Sequence, residues 1–348
     1  MSRVGAPTNL KGKDLHKWLQ DPNNPPMYTL DLFHYWQQRF IPIHYFADQQ
    51  PVSVNKRDVY GIETEVIVRG TLKDVVLCDT QQLAFPERSL EPEYTSEWKG
   101  AIIGLKERNL KPWKEYLPEK CCMFNGRDAM LVKMYENWQE SDFYQKLKAH
   151  LEKYGNEMEE VRTVLCFGLG PLKLEQASAE EMEDHVARAF LQHTAAFLIR
   201  STLEEVQGMG DIRVGVQDPL YCGKCKELLY TKYKCDMMES PTGFEYIYNQ
   251  NAFIVTKSPT APVRQIVGDL TVGFGGPAGI LCDRIDEDYD VQYPFHDPPS
   301  GRLYKFKKEN EELELLLDDT GATVEFEGFT LPGQVFEKVG LYLKKKRA

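Results

Sequence analysis

Residues 164–221 constrain the fold of this chain more than any other stretch. The apolar run Val164-Leu-Cys-Phe167 meets Gly168-Leu-Gly170. A long amphipathic segment centred on Gln192-His193 follows. A second apolar run, Val214-Gly-Val216, then ends in Gln217-Asp218-Pro219-Leu220-Tyr221. A strand that is apolar at every position has no polar face to turn to water, so it belongs inside a sheet covered on both sides. Between the two runs Met182, Val186, Ala189, Phe190, His193, Phe197 and Leu198 trace one helical face. Ser178 with Glu181 fits a capping box at the start of that helix. The order is strand, glycine turn, helix, strand, acidic loop, which is half of a nucleotide-fold βαβ unit.

The same alternation continues downstream. A short helix begins over residues 225–229, and Ala252-Phe-Ile-Val-Thr256 is a further strand ending at Ser258-Pro-Thr-Ala-Pro262. Val263, Ile266, Val267 and Leu270 mark the next helix. Gly273-Phe-Gly-Gly-Pro277 reads as a flexible loop before a buried strand at 278–282. Late apolar pieces lie at 303–306, 313–317 and 339–343. Strands alternating with helices predict an α/β, Rossmann-like fold with a parallel or mostly parallel sheet and helices on both faces. Its crossovers are expected to be right-handed.

Upstream the pattern differs. Residues 1–30 read as an arm, since Asp21-Pro-Asn-Asn-Pro-Pro26 cannot continue a helix. Leu30, Phe33, His34 and Trp36-Gln37 suit a short aromatic helix. Ile62, Thr64, Val66 and Val68 alternate with polar neighbours, and Gly70 then leads to Val75-Val-Leu77, which predicts a half-buried hairpin. Residues 101–103 suit another strand, and Phe85-Pro-Glu-Arg-Ser-Leu-Glu-Pro-Glu an acidic loop. Leu131, Met134, Tyr135 and Trp138 share a helical face, and Ser141 can cap a helix carrying Phe143, Leu147 and Leu151 that stops at Gly155. The expected division is an N-terminal extension of short helices and a hairpin over residues 1–157 and a Rossmann-type domain over 158–348.

Composition narrows the function classes. The 348 residues are 42% hydrophobic, enough for a substantial core, and the net charge is −11. So acidic a chain lacks the positive field that nucleic acid or an anionic membrane surface requires. No stretch approaches the roughly 18 apolar residues of a membrane helix, and no apolar secretory segment follows Met1. A cytoplasmic, or else nuclear, protein is expected. Its eight cysteines show no disulfide spacing and are expected as thiols. The basic cluster Lys344-Lys-Lys-Arg347 reads as a solvated end after the last strand.

Candidate site residues gather at strand ends. Gly168 and Gly170 suit close approach of a phosphate or an adenosyl group, or a tight turn with no ligand. Lys173 stands where the dinucleotide fingerprint needs its third glycine, and Asp218 lies 50 residues past Gly168 rather than about 20. Both facts argue against an ordinary NAD site. Asp218 could accept bonds from a ribose or act as a base; equally, it could close an Asx turn before Pro219. His193 is either a satisfied core histidine or a general acid/base, with Tyr221 a second candidate for proton handling. Gln217, Ser258 and Pro259 join Gly168, Gly170 and Asp218 as candidate ligand-binding residues at strand carboxyl ends. Cys222-Gly-Lys-Cys225 with Cys235 lacks the second close pair of a zinc site, so no metal is expected. No Walker A, G-x-S-x-G or H-E-x-x-H motif is present.

Five blocks occur in order: Val164-Leu-Cys-Phe-Gly-Leu-Gly170, Gln192-His-Thr-Ala-Ala196, Gln217-Asp-Pro-Leu-Tyr221, Ser258-Pro-Thr-Ala-Pro-Val263 and Asp297-Pro-Pro-Ser-Gly-Arg302. Together they resemble the Sensitivity-to-Red-Light-Reduced-like (SRR-like) domain in its fungal version, over roughly residues 160–305. The resemblance implies one domain of nucleotide-fold type, linked to circadian or light signalling and to control of haem biosynthesis, with no established catalytic activity. Where other members carry a proline-histidine-cysteine block, this chain has Pro259-Thr260-Ala261, so haem or metal ligation is not expected there. Three functions follow as expectations. One is a regulatory protein binding a small ligand or a protein partner. The second is an enzyme holding an adenosyl or nucleotide cofactor at Gly168 and Gly170. There Asp218 would be on the sugar and His193 or Tyr221 would handle protons, in the strand–glycine–helix–strand–acid order shared with S-adenosylmethionine-dependent transferases. The third is a scaffold whose arm and hairpin bind a protein.

Overall fold

The computed structural model describes residues 7–10, 12–35, 52–68, 73–77, 103–107, 135–136, 138–172, 179–221, 223–239, 242–249, 251–285, 297–310, 315–317, 324–326, 329–331, 335–336 and 338–346. The early elements are α1 (Lys13–Gln20), β1 (Val52–Arg57), β2 (Glu63–Val68), β3 (Lys73–Leu77), β4 (Ile103–Glu107) and α2 (Asp142–Tyr154). Next come β5 (Thr163–Phe167), α3 (Ala179–Gln207), β6 (Arg213–Gln217), α4 (Gly223–Thr231), β7 (Cys235–Met237) and α5 (Thr242–Glu245). The chain continues through β8 (Ala252–Thr256), α6 (Val263–Thr271), β9 (Gly279–Asp283) and α7 (Gly301–Glu309). It closes with β10 (Leu315–Leu317), β11 (Val324–Phe326), β12 (Phe329–Leu331) and β13 (Val339–Leu343). The chain forms two units. One comprises Met1–Leu110, Ser258–Gly276 and Ile285–Glu309; the other comprises Lys111–Lys257, Pro277–Arg284 and Asn310–Ala348.

The second unit carries a seven-stranded sheet in the order β10-β13-β9-β8-β5-β6-β7. β5 pairs in parallel with β6 on one side and β8 on the other, and β7 and β9 extend the parallel run outward. Counted along the chain from β5, the parallel strands stand 3-2-1-4-5, the doubly wound order whose direction reverses between the first and fourth. β13 runs antiparallel to both β9 and β10. The expected α/β fold with a mostly parallel sheet is therefore present. Every residue of β8 and β13 is buried, as are 164–167 of β5, which is why these strands read as unbroken apolar runs.

The sheet's core face joins Val164 and Cys166 to Val214, Val216, Phe253, Val255, Leu341 and Leu343, with Leu147, Leu151, Ile199 and Leu203 of α2 and α3 packed among them. The Ser141 hydroxyl accepts the Tyr144 N–H at 3.2 Å and caps α2. Gly155 ends that helix in right-handed geometry, so left-handed freedom is not its purpose. A Cβ there would lie 2.6 Å from the Leu151 carbonyl and 2.9 Å from Val206 Cγ1, and the glycine lets α2 close onto α3. The basic end departs from expectation at its first residue. Lys344 is buried and lies 3.9 Å from Glu159. The Glu159 N–H donates to the Lys344 carbonyl at 2.7 Å, and the Lys346 N–H to the Glu157 carbonyl at 2.9 Å. Edge pairing with residues 157–159 draws Lys344 inward, while Lys345 and Lys346 are exposed as expected.

In the first unit the predicted hairpin is replaced. β2 pairs with β1, and β3 pairs with β4. The reason is turn chemistry at Asp58, whose carboxylate accepts the Tyr60 and Ile62 N–H groups at 2.9 Å each while Gly61 takes a positive φ of 75°. Ile62 and Ile67 are exposed rather than half-buried. Residues 30–35 are helical; Trp36, Gln37, the 85–93 loop, Leu131 and Met134 lie outside the described residues.

The arm is anchored by buried charge. The Asp269 carboxylate accepts the Met27 and Tyr28 N–H groups at 2.8 Å each and pairs with Arg302, which also donates to the Asn24 carbonyl. Arg264 pairs with Asp297 at 3.1 Å, and the Arg264 N–H reaches the same carboxylate at 2.7 Å. All four charged side chains are buried. Gly301 has no side chain because a Cβ would sit 1.5 Å from the Gln20 carbonyl oxygen. The block 297–302 is thus the floor on which the arm lies, and the apolar piece that follows it, 303–306, belongs to α7. Removing one member of a buried ion pair strands its partner's charge and costs about 3–5 kcal/mol. Arg302→Met is expected to lower the unfolding free energy by that amount in urea titration and to speed proteolysis within residues 20–28.

Candidate functional site

In a doubly wound sheet, ligands bind outside the carboxyl ends of the strands, at the reversal of strand order. Here that point falls between β5 and β8. The parallel register sets Phe167 level with Gln217 and with Thr256. Gly168, Asp218 and Lys257 therefore follow at one level on three neighbouring strands. Thr256 ties the two central strands together, its hydroxyl donating to the Phe167 carbonyl at 3.0 Å.

The glycine turn and the acid meet. Gly168 and Gly170 have φ of 65° and 84°, left-handed values that favour glycine. The Gly170 N–H donates to Asp218 Oδ2 at 2.8 Å, and the Leu220 N–H donates to Asp218 Oδ1 at 2.8 Å. The Gly168 N–H donates to the Gln217 carbonyl at 3.0 Å. A Cβ on Gly170 would come within 3.2 Å of the Ala189 methyl, so this glycine also admits α3 close to the strand end. Asp218 combines two readings: it closes an Asx-type turn through Leu220 and it reaches back across the sheet edge to the glycine turn.

His193 and Tyr221 form a closed pair. His193 Nδ1 lies 2.6 Å from the Ala189 carbonyl, and Nε2 lies 2.7 Å from the Tyr221 hydroxyl. A carbonyl only accepts, so Nδ1 carries the proton and Tyr221 donates to Nε2. Burial lowers the His193 pKa from 6.5 to about 4, which keeps the ring neutral. Burial, and then the Asp218 charge, hold the Tyr221 hydroxyl well above its ordinary range. Burial pushes the Cys166 thiol up and Cys235 up to about 12, so neither is a thiolate at neutral pH.

The remaining candidates are also placed. Gln217 Oε1 accepts the Gly243 N–H at 2.8 Å and holds the start of α5, where Phe244 stacks on Phe167 at 4.8 Å. Ser258, exposed with φ of 47°, and buried Pro259 follow β8 and belong to the other unit. Lys257, just past the end of β8, and Asp283, the last residue of β9, form an ion pair with side chains 15% and 19% exposed. Sequence reasoning passed over both. A charged residue directly at the carboxyl end of an all-apolar strand was the available signal. Among the described residues no three of His, Cys, Asp and Glu gather as a metal-binding group; Cys222 is outside them. Among the described residues, too, no helix is long and apolar enough to cross a membrane.

The model of the SRR1 domain matches residues 145–331, more than half of the chain. The chain belongs to the SRR1 domain family. The match runs from within α2 to the end of β12 and takes in the glycine turn, the Gln192-His193 pair, Asp218, the 258–263 segment and the 297–302 block. The antiparallel strand β13 lies beyond it, so the SRR1 sheet in this chain is completed by residues outside the matched segment. A search of the curated proteins found none that matches the chain.

The His193–Tyr221 pair has two measurable consequences. Tyr221→Phe leaves a buried acceptor without its donor and is expected to cost about 1–3 kcal/mol. The His193 pKa lies below that of the unfolded chain, so stability is complete above about pH 6.5 and is lost as the pH falls toward about 4. The loss is roughly 3 kcal/mol. Urea midpoints measured at neutral pH and near pH 4.5 are expected to show a drop that shrinks by most of that amount in His193→Gln.

Proposed function

We propose that this SRR1-domain protein is regulatory and binds a small ligand, or a partner presenting one, at the carboxyl edge of β5 and β6. The proposed setting is the cytoplasm or nucleus, with nucleic acid and membrane excluded as partners by the acidic charge. The observation that carries the reading is the commitment of the edge's reactive groups to internal partners. His193 is neutral with both ring nitrogens engaged, Tyr221 donates to it, and Asp218 accepts two backbone N–H groups. Such an edge is preorganised to hold a ligand, while its acid and base are not poised to exchange protons at neutral pH.

A second reading is an enzyme with an adenosyl or nucleotide cofactor. It is favoured by the 3-2-1-4-5 strand order, which sets an acid at the end of the second strand beside the glycine turn of the first. Calorimetry of the purified chain with S-adenosylmethionine, NAD(P) and adenine nucleotides separates the two. Saturable binding that Asp218→Ala abolishes, without consumption of the ligand, is the expected result. Sustained turnover by the wild-type chain that Asp218→Ala eliminates would replace the regulatory reading with the enzymatic one. Absence of binding by every member of the panel would remove the site.

A further inference from the structure

We infer that the seat of the arm, formed by α6 and residues 297–302, is a peptide-docking site. The chain fills it with its own residues 20–28, and the partner it fits is a proline-bearing peptide segment of another protein. The arm is the built-in competitor of that partner. The seat lies inside the segment matched by the SRR1 domain, and the arm lies outside it. Recognition is by main chain. Asp269 Oδ2 accepts the Met27 and Tyr28 N–H groups at 2.8 Å each, the first two donors after Pro25-Pro26. Arg302 donates to the Asn24 carbonyl. Gly301 leaves room for the Gln20 carbonyl oxygen, which a Cβ would approach to 1.5 Å. Among residues 20–28 only Tyr28 is buried, so the seat reads backbone and one aromatic ring.

Main-chain reading makes the seat tolerant of sequence. A segment that presents a carbonyl, two successive N–H groups and an aromatic side chain at this spacing meets the same donor and acceptor. Prolines assist, because they fix φ and reduce the conformational freedom lost on docking. Asp21 adds a turn, its carboxylate accepting the Asn23 N–H at 2.9 Å. The arm also satisfies the seat incompletely. Arg302 Nε and Gln20 Nε2 are buried with no acceptor, and an unmade buried hydrogen bond is costly. Displacing the arm returns Gln20 Nε2 to water, and a peptide with an acceptor for Arg302 Nε completes the seat. The arm competes through its tether, which keeps its effective concentration high.

The test uses the full-length chain and two labelled synthetic peptides of residues 12–30, one plain and one N-methylated at Met27 and Tyr28. The plain peptide is expected to bind wild type by fluorescence anisotropy. At saturation it is expected to speed proteolysis within the chain's own residues 20–28 at least about fivefold, read from the mass of the shortened chain. N-methylation, which removes both donors to Asp269, is expected to weaken binding at least about tenfold. Tyr28→Asp, which ejects the arm and leaves the seat intact, is expected to tighten plain-peptide binding at least about tenfold. If Tyr28→Asp does not fold, the wild-type measurements decide alone. Equal binding of the two peptides, or binding that leaves the arm as protected as before, would overturn the proposal. So would failure of a folded Tyr28→Asp chain to bind. Sedimentation of wild type is expected to give a monomer; a dimer that the plain peptide dissociates would replace the foreign partner with a second copy's arm.

Discussion

β5 has no face to give to water, and the rest of the second unit follows from that. Residues 164–167 are buried, with Val164 and Cys166 in the main core and Phe167 stacked on Phe244 on the opposite side. A strand of this kind must be hydrogen-bonded on both edges and covered on both faces. β6 and β8 supply the edges in parallel register. Because both neighbours end level with β5, the loops beyond the three strands are brought to one place. The glycine turn, Asp218 and Lys257 meet there as a consequence of sheet register rather than of nearness in the chain.

Asp218 then decides what that place is. A glycine turn at the end of the first strand is chemically ambiguous, because its N–H groups serve an anion from outside or an acceptor from within equally well. Here the acceptor is internal, from a residue 48 positions away along the chain. The histidine that follows in the helix is resolved in the same manner. Flanked by the Ala189 carbonyl and the Tyr221 hydroxyl, it contributes a neutral ring to the core at neutral pH. The edge is thus acidic and ordered, with its proton-exchanging groups turned inward.

In the first unit a different constraint prevails. The buried ion pair of Asp269 with Arg302 holds the proline-marked arm by its backbone, and a second buried pair, Arg264 with Asp297, fixes the start of the block that carries Arg302. Burial raises the Asp269 pKa to about 6 against the opposing pull of Arg302 and the two arm N–H groups. The carboxylate is therefore held at an energetic cost that only its full set of partners offsets. The block Asp297-Pro-Pro-Ser-Gly-Arg302 reads in sequence as part of a family signature. In space it is the seat of the arm, and its glycine is explained by the Gln20 carbonyl that a side chain would strike.

Periodicity and local chemistry determined the central strands and helices of the second unit and the α/β class, and five ordered sequence blocks carried the resemblance to the family. Apolar runs bounded by glycine or polar residues mark strands at 163–167, 213–217, 252–256 and 339–343 with little ambiguity. These signals are local, and the backbone obeys them wherever it is packed. Tertiary structure decided everything that depends on a partner distant in sequence: that Lys344 turns inward to Glu159, that Gly170 answers to Asp218, and that His193 is closed by Tyr221. The Asp58 turn and the charges ending β8 and β9 were readable and were passed over. The other pairings were not readable, because a hydrogen bond is satisfied by geometry, and a single sequence carries the donor and the acceptor without the distance between them.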